Sequence, residues 1–582
     1  MRTHGAGIAV TLTLTALLAG CGVPDSGVPV VDEPARPVKV TEPAELRALP
    51  IPEDAKNSVD AVKLYFAAAA VEWSRLKQQT DLFLSEKGRA EPGSLQPGQT
   101  IPVIRLTLPN SPEVIKEGTR QEVQRVRATG RVIGRLTESG VLLPASGKFS
   151  HTFELQLGQV SDGANGEPEK GKRRLAWLID NPPPDYLLSL DALTERYDAL
   201  PLYFSNQSAT ATLIPEQRYV RKAMGHSSQR SLLVDWLLQG PSESLSPAAV
   251  RGFPDGTERR GPVYEDNQGV LVVKLNTRAA DTNRSDLMLA QLVWTLSSRM
   301  GRSQRLTLRI DDQPVVRDGR SAHSRYDFEA FNAMPEFDDG TAAYFINKKR
   351  EVDSVSEDLL PDVVSQSNDD GETHNTDVVS AALSGDRTLA VLVRRPGARW
   401  SLEIGRRSAL RASASRYAEV TGLPSGPIGR PAWASGVGAE GSVLFMVGRA
   451  LYLVDLKGAR AQKVETSSIR DVDAVAVAPD GFRVALVSQG RLYVTVLAEQ
   501  GEVVELGKPR PVTDQVRDVT DVAWRSEHSL VVLGRGPQGT VSKVDIDGRR
   551  VEALPEPGGG APDQVAAYPT RDGNGQVLVA HG

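Results

Sequence analysis

A strand–turn–strand pattern recurs through the C-terminal half of this sequence. Short apolar runs open the copies at 379–386, 430–433, 474–481, 521–524 and 566–569. Second strands are predicted at 388–393 and 483–488, and third strands at 450–455, 491–497 and 540–546. The spacing of about 45 residues is typical of the four-stranded sheets that form β-propeller blades. With a further blade near 341–352, the pattern predicts an all-β propeller over residues 326–582 with roughly five or six blades, and the number stays open.

An acidic stretch, Glu351 to Asp377, interrupts these repeats. Its Asp369, Asp370 and Glu372 lack the alternating spacing of oxygen ligands that a calcium loop needs. Because the stretch is poor in apolar residues and rich in Ser, Asn and Asp, it predicts a solvated, mobile loop.

Residues 199–325 alternate between strand and helix patterns, which predicts an α/β domain. Strands are expected at 200–204, 218–221, 269–275 and 306–310, and helices at 228–239 and 285–300. Gly240 and Pro241 end the first helix, since glycine adopts the left-handed cap and proline cannot continue a helix. Trp236 and Trp294 could stack on sugars, but helical positions flanked by leucines favour core packing. The basic residues Arg218, Arg221, Lys222, Arg259 and Arg260 could meet an anionic partner, and a solvated face is the favoured interpretation.

Residues 55–198 predict an α+β domain. A helix starts near Ser58, and strand patterns follow at 101–108, 121–136, 148–160 and 173–179. This order of elements is similar to the cone-shaped fold of the nuclear-transport-factor-like superfamily. His151 and Asp180 could act as acid or base in a pocket of such a fold. A structural or surface role is more common for a single histidine in a strand, and we assign no catalysis here.

The N-terminus carries an export pattern. A short basic start precedes an apolar run over residues 7–20, which is too short to span a bilayer. Cys21, the only cysteine in 582 residues, follows directly. The residues Leu18-Ala19-Gly20-Cys21 resemble the bacterial lipoprotein box; the other interpretation is an ordinary signal followed by a chance cysteine.

The lipobox resemblance implies that residues 1–20 are a signal peptide cleaved between Gly20 and Cys21. Cys21 would then be an N-palmitoyl, S-diacylglycerol cysteine at the mature N-terminus. Two or more acyl chains make attachment to the cytoplasmic membrane effectively permanent, because each buried methylene contributes about 0.8 kcal/mol. Residues 21–54 are rich in proline and predict an extended tether. We therefore expect a chain lipid-anchored at the extracytoplasmic face of the cell membrane.

The sequence lacks the residue patterns that several classes of function require. The net charge of −5 gives no basic field for nucleic acid. The seven histidines are scattered without metal-ligand spacing, and neither a Gly-x-Ser-x-Gly elbow nor a phosphate-binding loop is present. We therefore expect no catalytic residues, no metal and no cofactor, and predict that the chain is not an enzyme.

The middle segment resembles the GerMN domain of spore-germination proteins, through Leu202-Tyr203-Phe204, Leu237 to Pro241 and the run Ala290 to Leu296. The order of lipobox, tether, cone-like domain, GerMN domain and propeller is similar to that of the actinobacterial LpqB lipoprotein family. This resemblance implies a non-enzymatic accessory regulator that binds the extracellular sensor region of the histidine kinase in the MtrA–MtrB two-component system and modulates cell-envelope signalling. The alternatives are an envelope glycan- or peptide-binding protein, or a hydrolase, with its site in the propeller or GerMN domain. A third is a structural envelope scaffold.

Overall fold

The computed structural model describes residues 49–580 with internal gaps. The gaps are 91–97, 108–110, 116–122, 161–174, 207–211, 281–283, 301–303, 333, 335–342, 356–359, 366–372, 385–386, 408–414, 438–439, 467, 501–502, 538, 556–561 and 571–574. The described residues lie in one unit, which spans 46–582. Across the described helices, none has both the length and the apolar character needed to cross a membrane.

The N-terminal domain, described from residue 49 to 196, packs short helices on an antiparallel sheet. Its elements are α1 (Ser58–Ala68), α2 (Leu76–Asp81), α3 (Glu86–Arg89), β1 (Ile101–Leu106), β2 (Glu113–Val114), β3 (Val123–Leu136), β4 (Leu142–Gln159), β5 (Leu175–Ile179), β6 (Leu188–Ser189) and α4 (Leu190–Arg196). The strand order is β5-β4-β3-β1-β6, with β2 on β3 and only β6 parallel to its neighbour. The α+β class therefore agrees with the sequence; the likeness to nuclear transport factors stays a prediction.

Helix α1 covers one face of this sheet. Asn57 caps it, with its side-chain oxygen accepting from the backbone N–H of Asp60 at 2.9 Å. Phe66 of α1 meets Phe153 of β4 edge-on, with ring centroids 5.7 Å apart. Strand β4 begins at Leu142, six residues before the predicted start, because a register shift between Val132 and Gly134 lets the pairing continue past the irregularity.

The middle domain, described between residues 197 and 331, contains two sheets and two long helices. Its elements are β7 (Tyr197–Asn206), β8 (Ile214–Arg221), α5 (His226–Gln239), β9 (Ala249–Val250), β10 (Tyr264–Glu265), β11 (Leu271–Leu275), α6 (Ser285–Leu296), β12 (Leu306–Ile310) and β13 (Gln313–Pro314). The strand orders are β8-β7-β9 and β10-β11-β12-β13, and β11 runs parallel to β12. Gly240 ends α5 at φ 100°, as its position in the sequence predicts. Helix α6 stops at Leu296, four residues before the predicted end, and a 3-10 turn follows.

The C-terminal domain, from residue 343 onward, is built from six small sheets among the described residues. The first three comprise β14 (Tyr344–Ile346) and β15 (Val352–Ser354); β16 (Val378–Leu383), β17 (Leu389–Arg394), β18 (Ser401–Arg407) and β19 (Ser415–Glu419); β20 (Ala432–Ala434), β21 (Ser442–Val447), β22 (Ala450–Asp455) and β23 (Ala461–Lys463). The next two comprise β24 (Ala474–Val477), β25 (Arg483–Ser488), β26 (Arg491–Gln500), β27 (Val503–Leu506) and β28 (Arg510–Pro511); β29 (Arg517–Ser526), β30 (Ser529–Arg535), β31 (Val541–Asp545) and β32 (Val551–Ala553). The sixth pairs β33 (Gln564–Ala567) with β34 (Val577–Ala580), and a short helix, α7 (Asp362–Ser365), precedes β16.

Buried apolar side chains fill each gap between consecutive sheets, as blade packing in a propeller requires. The five junctions are represented by Val352 with Leu392, Val393 with Phe445, Leu444 with Phe482, Val487 with Trp524, and Leu533 with Val565. The first and last hairpins also meet, since Tyr568 hydrogen bonds to the backbone of Tyr344. This contact joins the first and the last of the six described sheets, each of which has two strands among the described residues.

The acidic stretch is only partly a loop. Within its described part, Val352–Ser354 forms a strand, and α7 buries Val363 and Val364 against blade two. The hydroxyl of Tyr417 donates to the carbonyl of Val363 at 2.5 Å. These two valines were the apolar signal that the overall polarity of the stretch obscured. Asp369, Asp370 and Glu372 lie outside the described residues.

Candidate functional site at the domain junction

The predicted lipidation site lies outside the described residues, because these begin at residue 49. Cleavage after Gly20 and acylation of Cys21 therefore stay predictions.

An ion pair joins separate blades of the propeller. Arg430 precedes β20 and donates to the Asp521 carboxylate of β29 at 2.7 Å and to the Val565 carbonyl of β33 at 2.8 Å. The second oxygen of Asp521 accepts from the backbone N–H of Val565 at 2.8 Å. Burial raises the pKa of Asp521, and the Arg430 guanidinium opposes that rise. Both oxygens of this buried carboxylate are thus committed to bonds that join three blades.

His151 and His374 lie in different environments and have different hydrogen-bond partners. His151 bonds through Nε2 to the Asn181 carbonyl at 2.8 Å and lies edge-on to Phe153, so its surroundings are structural. His374 contacts the Glu403 carboxylate at 2.6 Å and stacks on Tyr417, with ring centroids 4.3 Å apart. The residues that the structure describes contain no group of three or more His, Cys, Asp or Glu side chains arranged to hold a metal.

The two tryptophans of the middle domain are core residues. Trp294 is 1% exposed and donates its indole N–H to the Phe328 carbonyl at 3.0 Å. Trp236 is also buried, and it packs against Gly140 at the tip of the hairpin between β3 and β4. Neither ring face is available to a sugar, which confirms the core interpretation.

Four of the five basic residues considered above form hydrogen bonds or ion pairs with other groups of the chain. The solvated-face interpretation is wrong for Arg218, which is 2% exposed and donates to Glu216 at 2.8 Å and to the Ser139 carbonyl at 2.9 Å. Arg221 pairs with Glu72 at 2.5 Å.

The remaining three basic residues differ in their surroundings. Lys222 donates to the Thr194 carbonyl at 3.0 Å, and Arg259 pairs with both oxygens of Asp235 at 2.8 and 2.7 Å. Arg260 is exposed, as the solvated-face interpretation expects. Arg218, Arg221 and Lys222 therefore help to fix the N-terminal domain on the middle domain.

Two tyrosines join the middle domain to the propeller. The Tyr203 hydroxyl donates to Glu527 at 2.8 Å, and the Tyr219 hydroxyl donates to Asp547. All four side chains are buried. A continuous cluster of buried apolar side chains also extends from the middle domain into blades three and four. The two domains consequently share one core.

The N-terminal domain reaches the propeller as well. Arg105 donates to the Arg549 carbonyl, and Arg131 forms an ion pair with Asp514. The backbone N–H of Tyr219 donates to the Gly140 carbonyl at 2.7 Å, so one strand of the middle domain touches both neighbours.

A cavity of about 60 Å³ lies where the three domains meet. Leu142 belongs to the N-terminal domain, Glu216 and Tyr219 to the middle domain, and Arg483 and Arg510 to the propeller. All three domains line this cavity: the N-terminal domain supplies apolar side chains, and the middle domain and the propeller supply the charged ones. Sequence reasoning missed it because its residues come from distant segments without a shared motif.

Comparison with known proteins identifies two domains of this chain. A family model described as "Lipoprotein LpqB beta-propeller domain" matches residues 362–578. A second, described as "Sporulation and spore germination", matches residues 201–316.

Curated relatives extend the likeness to nearly the whole chain. The Lipoprotein LpqB of Rhodococcus opacus (strain B4) is 24% identical over 588 residues, which cover 95% of this chain and 89% of that protein. The chain is thus similar to an LpqB lipoprotein over nearly its whole length. The LpqB of Rhodococcus jostii (strain RHA1) is 24% identical over 94% of this chain and 88% of its own length. The LpqB of Thermobifida fusca (strain YX) is 32% identical over 36% of this chain and 32% of its own length.

These findings confirm the family resemblance and the fold class that the motifs predicted: a multidomain chain with a mixed α/β GerMN domain and an all-β propeller. The names of these LpqB relatives describe a lipoprotein and carry no reaction.

Proposed function

We propose that this LpqB-like chain is a lipid-anchored accessory regulator at the extracytoplasmic face of the cell membrane. It binds the extracellular sensor region of a histidine kinase, that of the MtrA–MtrB system, and modulates cell-envelope signalling without catalysis. The kinase follows from the family resemblance. The geometry supports a binding role, because the three domains are held together as one body.

The network of bonds at the domain junction is the observation that carries this proposal. Tyr203, Tyr219 and Arg218 each form a side-chain hydrogen bond that joins one domain to another. A chain built this way presents surfaces of three domains in one fixed arrangement, which suits recognition of a folded partner. A lipid anchor at Cys21 would add effective concentration, because partner and regulator would then share one membrane surface.

The propeller gives little support to the alternative of a glycan-binding or hydrolytic protein. Such a site needs carboxylates that converge on open space. Asp521, a buried carboxylate that three blades share, is instead engaged by Arg430 and by the backbone of Val565.

The test is photo-crosslinking in live cells between this chain and the kinase, with Cys21→Ala as the matched variant. We expect a crosslinked complex with the wild-type chain and a strong loss of it with Cys21→Ala, because the variant cannot be acylated. A variant that keeps both its membrane location and its crosslinks would contradict the tether. A kinase response that is unchanged when the chain is deleted would contradict the regulatory role.

A further inference from the structure

The cavity at the domain junction combines a mostly apolar wall with charged groups. Leu142, Pro215, Val494, Val496 and Ile546 supply apolar wall atoms. Its volume of about 60 Å³ is several times the 10–15 Å³ that one water molecule requires. It is far below the roughly 300 Å³ of a site for a drug-sized ligand. The space therefore fits a few water molecules or one small chemical group.

The acids of the cavity wall already have partners. Glu216 accepts from Arg218 at 2.8 Å and from the backbone N–H of Ser242 at 3.3 Å. Asp547 accepts from the Tyr219 hydroxyl and from the backbone N–H of Arg549 at 3.1 Å. These bonds satisfy the carboxylates and reduce their repulsion of an incoming anion.

The two arginines of the wall differ from the acids. Arg483 donates to Asp480 at 2.6 Å and to the Glu527 carbonyl at 2.7 Å, and its Nη2 makes no hydrogen bond within the described part of the chain. Arg510, on β28, is half-buried. Its guanidinium has neither a hydrogen bond nor an ion pair to any side chain that the structure describes, although it feels the charge of Glu216. A partly buried guanidinium without a counter-ion carries a desolvation cost that an anionic ligand would offset.

We propose that this cavity binds one carboxylate group on a short aliphatic stem, with Arg510 as its principal partner. The planar fork of a guanidinium matches the two oxygens of a carboxylate, and the free Nη2 of Arg483 can add a third bond. The apolar wall accommodates one or two carbons of the stem. The carboxylate comes either from a free short-chain acid or from an acidic side chain of a peptide, and both present the same chemistry.

The test follows the melting temperature of the full-length lipoprotein in detergent while ligand is added at constant ionic strength, with chloride as the reference anion. The probes are propionate, an N-acetylated tripeptide with a central glutamate, and inorganic phosphate. We expect saturable stabilisation by propionate or by the tripeptide, because a ligand that binds only the folded state raises its stability. Saturation by propionate identifies the free-acid source, and saturation by the tripeptide alone identifies the peptide source.

Substitutions then assign the site. Arg510→Gln is expected to weaken binding at least tenfold, and its melting temperature without ligand should match the wild type because Arg510 has no described partner to lose. Lys508→Gln, which removes an equal charge from an exposed position two residues away, should bind like the wild type. Arg510→Lys keeps the positive charge but loses the planar guanidinium, so its affinity for the carboxylate should be intermediate. If Arg510→Gln does not fold, the affinity of Arg510→Lys serves as the test.

Three results would overturn the proposal. The first is no saturable effect of either carboxylate on the wild type. The second is unchanged affinity in Arg510→Gln or in Arg510→Lys. The third is phosphate binding as tight as carboxylate binding, since the short apolar stem would then contribute nothing.

Discussion

Arg430 and Asp521 show how single residues hold the propeller ring. The guanidinium reaches from blade three to blades five and six, so it bonds strands that no β-ladder connects. The Asp521 carboxylate is buried, and burial alone raises its pKa. Removing its partner would leave a buried charge without compensation, a change that typically costs more than the pair itself contributes.

We therefore predict that Arg430→Met destabilises the chain by about 3 kcal/mol. The double variant Arg430→Met, Asp521→Leu should cost less than the single one, because it removes the orphaned charge together with its partner. Urea unfolding of the single and double variants measures both values. A double variant at least as unstable as Arg430→Met would show that the pair contributes by itself.

His528 follows Glu527, the residue that bonds to Tyr203 at the junction between the middle domain and the propeller. Both of its ring nitrogens are shielded from solvent and lack hydrogen-bond partners in the described structure. Burial, together with the positive charges of Arg483 and Arg549, lowers its pKa to about 3. The imidazole consequently stays neutral in the folded chain at pH values where an unfolded histidine binds a proton.

This depressed pKa predicts a loss of stability on acidification. Below pH about 6.5 the unfolded state takes up the proton and the folded state does not, so the free energy of unfolding falls as the pH falls toward 3. Between pH 7 and 5 this group alone should cost about 2 kcal/mol.

The pH dependence can be assigned by substitution. His528→Gln should lose that part of the dependence in urea unfolding, whereas His226→Gln, at the exposed start of α5, should retain it. Equal pH dependence in His528→Gln and the wild type would contradict the assignment.

At the scale of elements, the hairpin between β3 and β4 is the piece that docks the N-terminal domain. Gly140 at its tip has φ +77°, and a Cβ there would lie 2.6 Å from Cη2 of Trp236. Gly98 also has a positive φ, of +82°, but a Cβ on it would meet nothing within 4 Å. Substituting both glycines therefore distinguishes the cost of backbone strain, which the two positions share, from the cost of a clash across the domain boundary, which only Gly140 has.

We predict that Gly140→Ala destabilises the N-terminal domain by at least about 1 kcal/mol more than Gly98→Ala. Both variants carry the cost of a non-glycine residue at positive φ, roughly 1–2 kcal/mol, and only the first adds a clash with Trp236. Thermal unfolding and limited proteolysis of the two variants compare them. Equal losses would mean that the hairpin tip yields without disturbing the docking.

Local patterns predicted most of these elements because apolar periodicity is a property of neighbouring residues. Helix α5 and strand β22 lie within two residues of their expected ends. The same reasoning missed the start of β4, since a bulge breaks the period, and α7, whose two valines stand in an acidic stretch. It also misjudged Arg218, because the groups that bury this side chain, at Ser139 and Gly240, are supplied by tertiary contacts.

At the scale of the whole molecule, the junction could not be predicted from any segment. The bond between Tyr203 and Glu527 joins residues 324 positions apart, and that between Tyr219 and Asp547 joins residues 328 apart. Their pairing depends on how three folded domains meet. The junction makes the middle domain and the propeller one body, and it fixes the N-terminal domain, from which the predicted tether emerges, against both.

This arrangement gives the predicted anchor its importance. Because the described domains form one body, holding its N-terminal end at the membrane would limit the orientations that the whole body presents to a membrane partner. Cys21 would then decide both where the chain is and how often it meets the kinase.

The most direct test measures autophosphorylation of the sensor kinase reconstituted in lipid vesicles, with the acylated chain or Cys21→Ala added at equal amounts. We predict a severalfold change in the autophosphorylation rate with the acylated chain, and a much smaller change with Cys21→Ala unless its concentration is raised to match the local value at the membrane. A rate that is the same with the acylated chain, with Cys21→Ala and with no addition would contradict the account.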